Sequence, residues 1–241
     1  LVNKISILLG FWRRYLWSYY GTKKKLAKYY PEPQFDTIIE PFAGAAQYSL
    51  FGNNWQKQVY LVDKYDIIVK VWQYLINATK EDILGLPDLD VGQNVDDFTT
   101  LSNEEKWLIG FCINPASACP KKTSTKRGRW NANKINIAEN IYKIKHWKVK
   151  CDEFKNIKNI SATWFIDPPY KYGGIYYRMN NKNIDYNDLA EWCKSRNGQI
   201  IVCENTKADW LDFKPLAELK GQLHTTMEAI WYKSYIKTQL Y

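Results

Sequence analysis

The chain predicts an α/β fold built on a doubly wound, Rossmann-like sheet. Three observations carry that expectation. Short apolar runs at 36–40, 59–62, 163–166 and 199–203 alternate with stretches of helical spacing. A small-residue turn containing Gly44 follows the first run, and Asp63 ends the second, 19 residues later. Asp167-Pro168-Pro169-Tyr170 closes the third run, at the strand end where open α/β sheets place ligands.

In chain order, residues 19–30 read as a loop leading into a basic helix. Asp36–Glu40 is a strand stopped by Pro41, and a helix is expected over Ala43–Leu50. Val59–Val62 is the second strand. Ile67–Ile76 repeats apolar residues at 67, 68, 71, 72 and 75, close to helical spacing. Residues 85–100 are polar and form a connection. Ser102 with Glu105 is a capping box for a helix reaching Asn114. Residues 115–133 read as a long polar loop, and loops of that length are functional or disordered. Ile137, Ile141 and Ile144 then mark one face of a basic helix. Asp185 and Asp188 open a helix through Ser195. A closing antiparallel hairpin is expected over 222–237.

Composition bounds the function. The 241 residues, 46% of them hydrophobic, suffice for a large core without disulfides. Five scattered cysteines without a CxxC pair read as reduced and mostly buried, as in the cytoplasm of a bacterial or phage-infected cell. Two distant histidines offer no metal site. Ile5–Leu9 is too short for a membrane span or a signal peptide, so no membrane partner is expected. Net charge is +9, and Lys121–Lys150 alone holds ten Lys or Arg against the single acid Glu139. Such a stripe is the footprint of a polyanion, or a solvated lysine surface.

The chemistry concentrates in two turns. In Asp167-Pro168-Pro169-Tyr170 the prolines fix φ and remove two donors, leaving a stiff set of acceptors beside a ring. That suits a planar group bearing an amino substituent. In Pro41-Phe42-Ala43-Gly44-Ala45-Ala46 small residues let a ligand approach the backbone, and Asp63 stands where an acid holds ribose hydroxyls. A single glycine is not a pyrophosphate cradle. A ribose without pyrophosphate fits, and S-adenosylmethionine meets that description.

Taken together, these pieces resemble the Dam-type, D12-class DNA adenine-N6 methyltransferases. Tyr19-Tyr20-Gly21-Thr22-Lys23 resembles that family's amino-terminal cofactor motif, and Glu40 through Ala46 its FxGxG motif. Asp63 matches the ribose-binding acid. Asp152-Glu153-Phe154 resembles the element that holds the cofactor's adenine, Asp167-Pro168-Pro169-Tyr170 the catalytic motif, and Glu228-Ala229-Ile230-Trp231 the late strand motif. The motifs stand in family order across nearly the whole chain except about 80–150. Two features depart: Ala46 replaces the last glycine of FxGxG, and 115–133 lacks the usual Gly- and Asn-rich recognition hairpin.

The resemblance implies a methyltransferase sheet formed by residues 1–80 and 150–241, with 81–149 inserted as a mainly helical and loop target-recognition region. It implies S-adenosylmethionine as cofactor, held by Tyr19, Gly21, Lys23, Glu40, Pro41, Phe42, Ala43, Gly44, Ala45, Asp63, Asp152, Phe154 and Asp167. Double-stranded DNA is the implied partner, bound by a monomer or weak dimer, with the target adenine flipped out. Asp167 and the Pro168 carbonyl would accept from N6, Pro169 would stiffen the turn and Tyr170 would stack on the base. Lys121, Lys122, Lys126, Arg127, Arg129 and Trp130 are the expected DNA contacts. Tyr176, Tyr177 and Arg178 form a lid that enters DNA or a plain surface loop. RNA adenine, a protein amide, or a non-catalytic DNA-binding module are the alternatives that the residues leave open.

Overall fold

The structure, a computed structural model, describes residues 16–114, 117–173, 179, 181–220 and 225–235. Seven strands form one sheet: β1 Thr37–Glu40, β2 Gln58–Asp63, β3 Lys148–Cys151, β4 Ala162–Ile166, β5 Gly198–Asn205, β6 Lys214–Lys220 and β7 Thr225–Lys233. Their spatial order is β3-β2-β1-β4-β5-β7-β6. The first five run parallel, and β7 is antiparallel to both β5 and β6. This is the Rossmann-like sheet with a closing antiparallel hairpin that the sequence predicts.

The chain moves outward from β1 through β2 to β3, then crosses back to lay β4 against the other side of β1. The topological switch point therefore lies between β1 and β4, where ligands bind in open α/β sheets. Glu40 and Asp167 stand at the carboxyl ends of those two strands.

Alternation sends successive strand residues to opposite faces. Ile38, Leu61, Phe165 and Ile201 share one buried cluster, and Ile39, Trp164, Ile166, Ile200 and Val202 the other. The helices are α1 Gln47–Leu50, α2 Asp66–Asn77, α3 Lys80–Gly85, α4 Asn103–Ile113, α5 Trp130–Asn140 and α6 Tyr186–Ser195. Ile68, Val71, Trp72 and Leu75 of α2 bury into the first cluster, together with Leu108 and Phe111 of α4 and Ile137 of α5. Residues between 81 and 149 thus share a core with the sheet. Leu189 and Cys193 of α6 cover the second face.

The caps follow the sequence. Ser102 N–H donates to Glu105 Oε2 at 2.7 Å, and Glu105 N–H donates back to Ser102 Oγ at 3.3 Å. At the far end of α2, Lys145 Nζ donates to the carbonyls of Leu75, Ile76 and Ala78, satisfying groups that a helix end leaves open.

Several expectations need correction. The helix expected from Ala43 begins only at Gln47, because Ala46 takes the left-handed conformation, φ 45° and ψ 47°. α3, with its Thr79–Asp82 capping box, falls just ahead of and at the start of the expected connection. The loop expected through 133 ends at Trp130, where α5 starts. β3 was not expected; it is an edge strand whose lysines face solvent. The hairpin spans 214–233, so its first strand precedes the predicted stretch. The Ile5–Leu9 run lies outside the described residues. Among the described residues no helix is long and apolar enough to cross a membrane.

Candidate active site

A cavity of about 250 Å³ opens over the switch point. Its wall draws on the segment before β1, the turn after β1, the ends of β2 and β4, the segment after β3, and the start of α6. The structure brings Tyr19, Gly21, Lys23, Glu40, Pro41, Phe42, Ala43, Gly44, Ala45, Asp63, Asp152, Phe154 and Asp167 to this one wall. Sequence separations of more than 140 residues collapse here.

The Gly44 peptide is held at both ends. Its N–H donates to Asp63 Oδ2 at 3.0 Å, and its carbonyl accepts from the Trp72 indole at 2.8 Å. Gly44 has φ +44°, and a Cβ there would sit 3.3 Å from the Tyr19 ring. A side chain is excluded by backbone conformation and by the packed ring. Asp63 Oδ1 accepts from Tyr65 N–H at 2.9 Å. Each Asp63 oxygen has a second acceptor position, so anchoring the turn and meeting a ligand hydroxyl are compatible. Burial, opposed by these N–H bonds, pushes the Asp63 carboxyl up to about 6.

Glu40 is 2% exposed and accepts from Ser49 N–H at 2.9 Å. Burial, assisted by the nearby Asp167 charge, pushes its carboxyl up to about 8. Asp152 is fixed by Glu153 N–H at 2.8 Å and the Asn156 amide at 2.7 Å, with Lys150 on its other oxygen, and its carboxyl is lowered to about 2. Phe154 packs beside Phe42, ring centroids 5.6 Å apart, and edge-on to Trp192 at 5.2 Å. Glu40, Asp63, Asp152 and Asp167, with the rings of Phe42 and Phe154, therefore face one cavity.

The Asp167 turn has its own arrangement. Pro169 lines the cavity, and Pro168 is buried beneath it. Asp167 Oδ1 is buried with no aligned hydrogen-bond donor among the described residues, although Lys23 Nζ pairs with it at 3.1 Å. Burial raises the Asp167 carboxyl to about 7 against the pull of Lys23. Tyr170 stands outside the cavity wall. Its hydroxyl donates to Glu228 Oε1 at 2.7 Å and accepts from Lys23. Lys23, expected among the residues that hold the cofactor, is 6% exposed and engaged by Asp167, Glu228 and Tyr170 as well as facing the cavity.

Sequence reasoning gave no role to several residues that the fold gathers here. Tyr65, Met179, Ile184 and Asp185 join the wall, and Asp185 also caps α6. Glu204 and Glu228 are buried acids behind the Asp167 turn. Glu228 opens the late strand motif noted in the sequence, whereas Glu204 was not noted; an acid following an apolar strand run, as in Ile201-Val202-Cys203-Glu204, is the signal that could have singled it out.

The expected DNA contacts divide. Lys121, Lys126, Arg127 and Arg129 are exposed and form no ion pair with an acid among the described residues. Lys122 is exposed and paired with Asp96 at 2.6 Å. Trp130 is a correction: it is 2% exposed, and its indole donates to the Pro87 carbonyl at 2.7 Å. It anchors α5 to the 86–89 segment and is not a surface contact. Lys134, in the same basic stretch, is likewise structural, bonded to the Leu86 carbonyl and to Asp88. Tyr176, Tyr177 and Arg178 lie outside the described residues.

No family model and no curated protein matches the chain. Among solved structures it is similar to "Putative methyltransferase yhhF from Escherichia coli", at 10% identity and a TM-score of 0.34, covering 82% of this chain and 75% of that one. It is also similar to "putative methylase HI0767 from Haemophilus influenzae", at 11% identity and a TM-score of 0.35, covering 83% and 80%. Likeness at this level carries no functional argument.

Proposed function

We propose that this chain is an S-adenosylmethionine-dependent methyltransferase whose acceptor is adenine N6 in double-stranded DNA. The observation that carries the reading is Asp167, a buried carboxylate whose Oδ1 is ion-paired with Lys23 at 3.1 Å but has no aligned hydrogen bond among the described residues, at a stiff Pro-Pro turn beside an acid-lined cavity. A buried acceptor of this kind favours a ligand that brings an N–H.

The residues fit the cofactor. Acids at 40, 63, 152 and 167 suit a molecule carrying cationic groups and ribose hydroxyls, and Phe42 with Phe154 offers apolar faces to a purine. Gly44 adds no side chain of its own to the turn that faces the cavity. When bound, S-adenosylmethionine supplies a sulfonium-activated methyl group.

The protein's part is positioning and electrostatics. Asp167 and the Pro168 carbonyl accept the two N6 hydrogens, turning the nitrogen lone pair toward the donor side of the cavity. The two prolines keep these acceptors from relaxing. Tyr170, its hydroxyl pinned by Glu228 and Lys23, offers a fixed ring against the base. An adenine reaches this turn only outside the duplex stack, at a cost of a few kcal/mol that stacking of about 1–3 kcal/mol per base helps offset. Lys121, Lys126, Arg127 and Arg129 grip the phosphates, and residues 81–149 supply target recognition.

The test is transfer of labelled methyl to duplex DNA, with RNA and protein acceptors in parallel and Asp167→Ala as control. Methyl-labelled adenine in DNA, lost in the variant, is expected. Label on RNA or protein alone, or wild-type activity in Asp167→Ala, refutes the reading.

A further inference from the structure

Behind the Asp167 turn lies a buried cluster whose centre, Glu228, belongs to β7 rather than to any catalytic strand. Glu228 is 4% exposed. Its Oε1 accepts from the Tyr30 hydroxyl at 2.7 Å and from the Tyr170 hydroxyl at 2.7 Å, and Lys23 Nζ stands 3.3 Å away. Lys23 also donates to the Tyr170 hydroxyl and lies 3.1 Å from Asp167 Oδ1.

An ammonium beside a single buried carboxylate would aim its hydrogens at it, since bonds between charged partners are the strong ones. Here two carboxylates and the Tyr170 hydroxyl share Lys23. Lys23 donates to the Tyr170 hydroxyl, which Glu228 holds, and its Nζ stands 3.1 Å from Asp167 Oδ1 without an aligned hydrogen bond to it. Tyr30, from the segment before β1, fixes Glu228 in turn.

We propose that Glu228 is a positioning residue that holds the Lys23 ammonium off the line of Asp167 Oδ1, keeping that oxygen open to an incoming N–H donor. The functional value of this open oxygen rests on the reading of Asp167 as the acceptor for the substrate amino group. The electrostatics run the same way. Glu228 and Glu204 raise the Asp167 carboxyl and Lys23 lowers it. Glu40 at the end of β1, Tyr30, Tyr170 and Cys203 are the other titratable groups facing it.

The test is a carbon-13 NMR titration of aspartate carboxyls in the full chain, with Asp167 assigned by its loss in Asp167→Asn. In Glu228→Gln, Lys23 turns to Asp167, whose midpoint falls by about one pH unit. The acid limb of any methyl-transfer profile moves the same way, and kcat falls about tenfold. Lys23→Met moves the midpoint upward. Should Glu228→Gln fail to fold, Glu228→Asp withdraws the carboxylate by one methylene and is read by the same downward shift. An Asp167 midpoint unchanged by the Glu228 variant overturns the proposal, even where methyl transfer is lost. Opposite shifts in the two variants, with no methyl transfer by wild type to any acceptor, sustain the coupling and sink the methyltransferase reading instead.

Discussion

Glu40→Gln tests whether the cavity's acids are held at the expense of stability. Glu40 is buried, and its carboxyl moves from the ordinary 4.5 to about 8. The folded state therefore holds this proton more tightly than the unfolded chain does. Below pH 4.5 the group is neutral in both states and costs nothing. Between pH 4.5 and about 8 the stability of the fold declines, and above about 8 the loss is complete. A displacement of that size corresponds to about 5 kcal/mol. Gln keeps the acceptor for Ser49 N–H but adds an amide that needs a partner, at about 1–2 kcal/mol. The variant should be slightly less stable than wild type at pH 5 and more stable by several kcal/mol at pH 9. Asp63 is common to both proteins and cancels in the difference, while loss of the repulsion between Glu40 and Asp167 adds to the variant's advantage at high pH. Urea denaturation from pH 5 to pH 9 reads the crossing. A constant difference between the two proteins across that range refutes the reasoning.

Three further outcomes are expected. Gly198→Ala places a Cβ 2.2 Å from the Ala162 carbonyl at φ +105°, so β4 and β5 must part, and thermal unfolding should report a loss of about 3 kcal/mol or more. The triple variant Lys126→Ala, Arg127→Ala, Arg129→Ala should bind duplex DNA more weakly whatever its sequence. Its plot of log affinity against log salt should be shallower by about 2 to 3, and an unchanged slope places the DNA elsewhere. Phe154→Ala removes a ring from the cavity wall and should weaken S-adenosylmethionine binding about tenfold by calorimetry.

The central strands were legible because both their faces are covered. Strands buried on two sides read as continuous apolar runs, as Ala162–Ile166 does. β3 was not, because an edge strand needs few apolar residues and Lys148-Val149-Lys150-Cys151 resembles the charged surface around it. Trp130 shows a second limit. An indole within a basic stretch looks the same whether it meets DNA or a carbonyl 43 residues away, and here it meets Pro87. The cavity wall was legible through short motifs, each carrying its own turn chemistry. The cluster behind it was not, because Tyr30 and Glu228 are 198 residues apart and neither has a local partner that marks it. At Ala46 the sequence shows a missing glycine that crowds a loop. The structure moves the effect to the backbone, where a non-glycine residue held left-handed costs about 1–2 kcal/mol.

The two-ended grip on the Gly44 peptide bears on how a ligand is received. Asp63 and Trp72 belong to β2 and α2, elements packed into the main core, so the turn is set before anything arrives. A ligand that meets a finished surface does not spend its contacts on ordering a loop, and more of them appear as affinity. It also meets a surface that adapts poorly. Ligands with bulk near the Gly44 turn should be turned away by rigidity rather than by charge, and loosening Trp72 should broaden what the cavity admits.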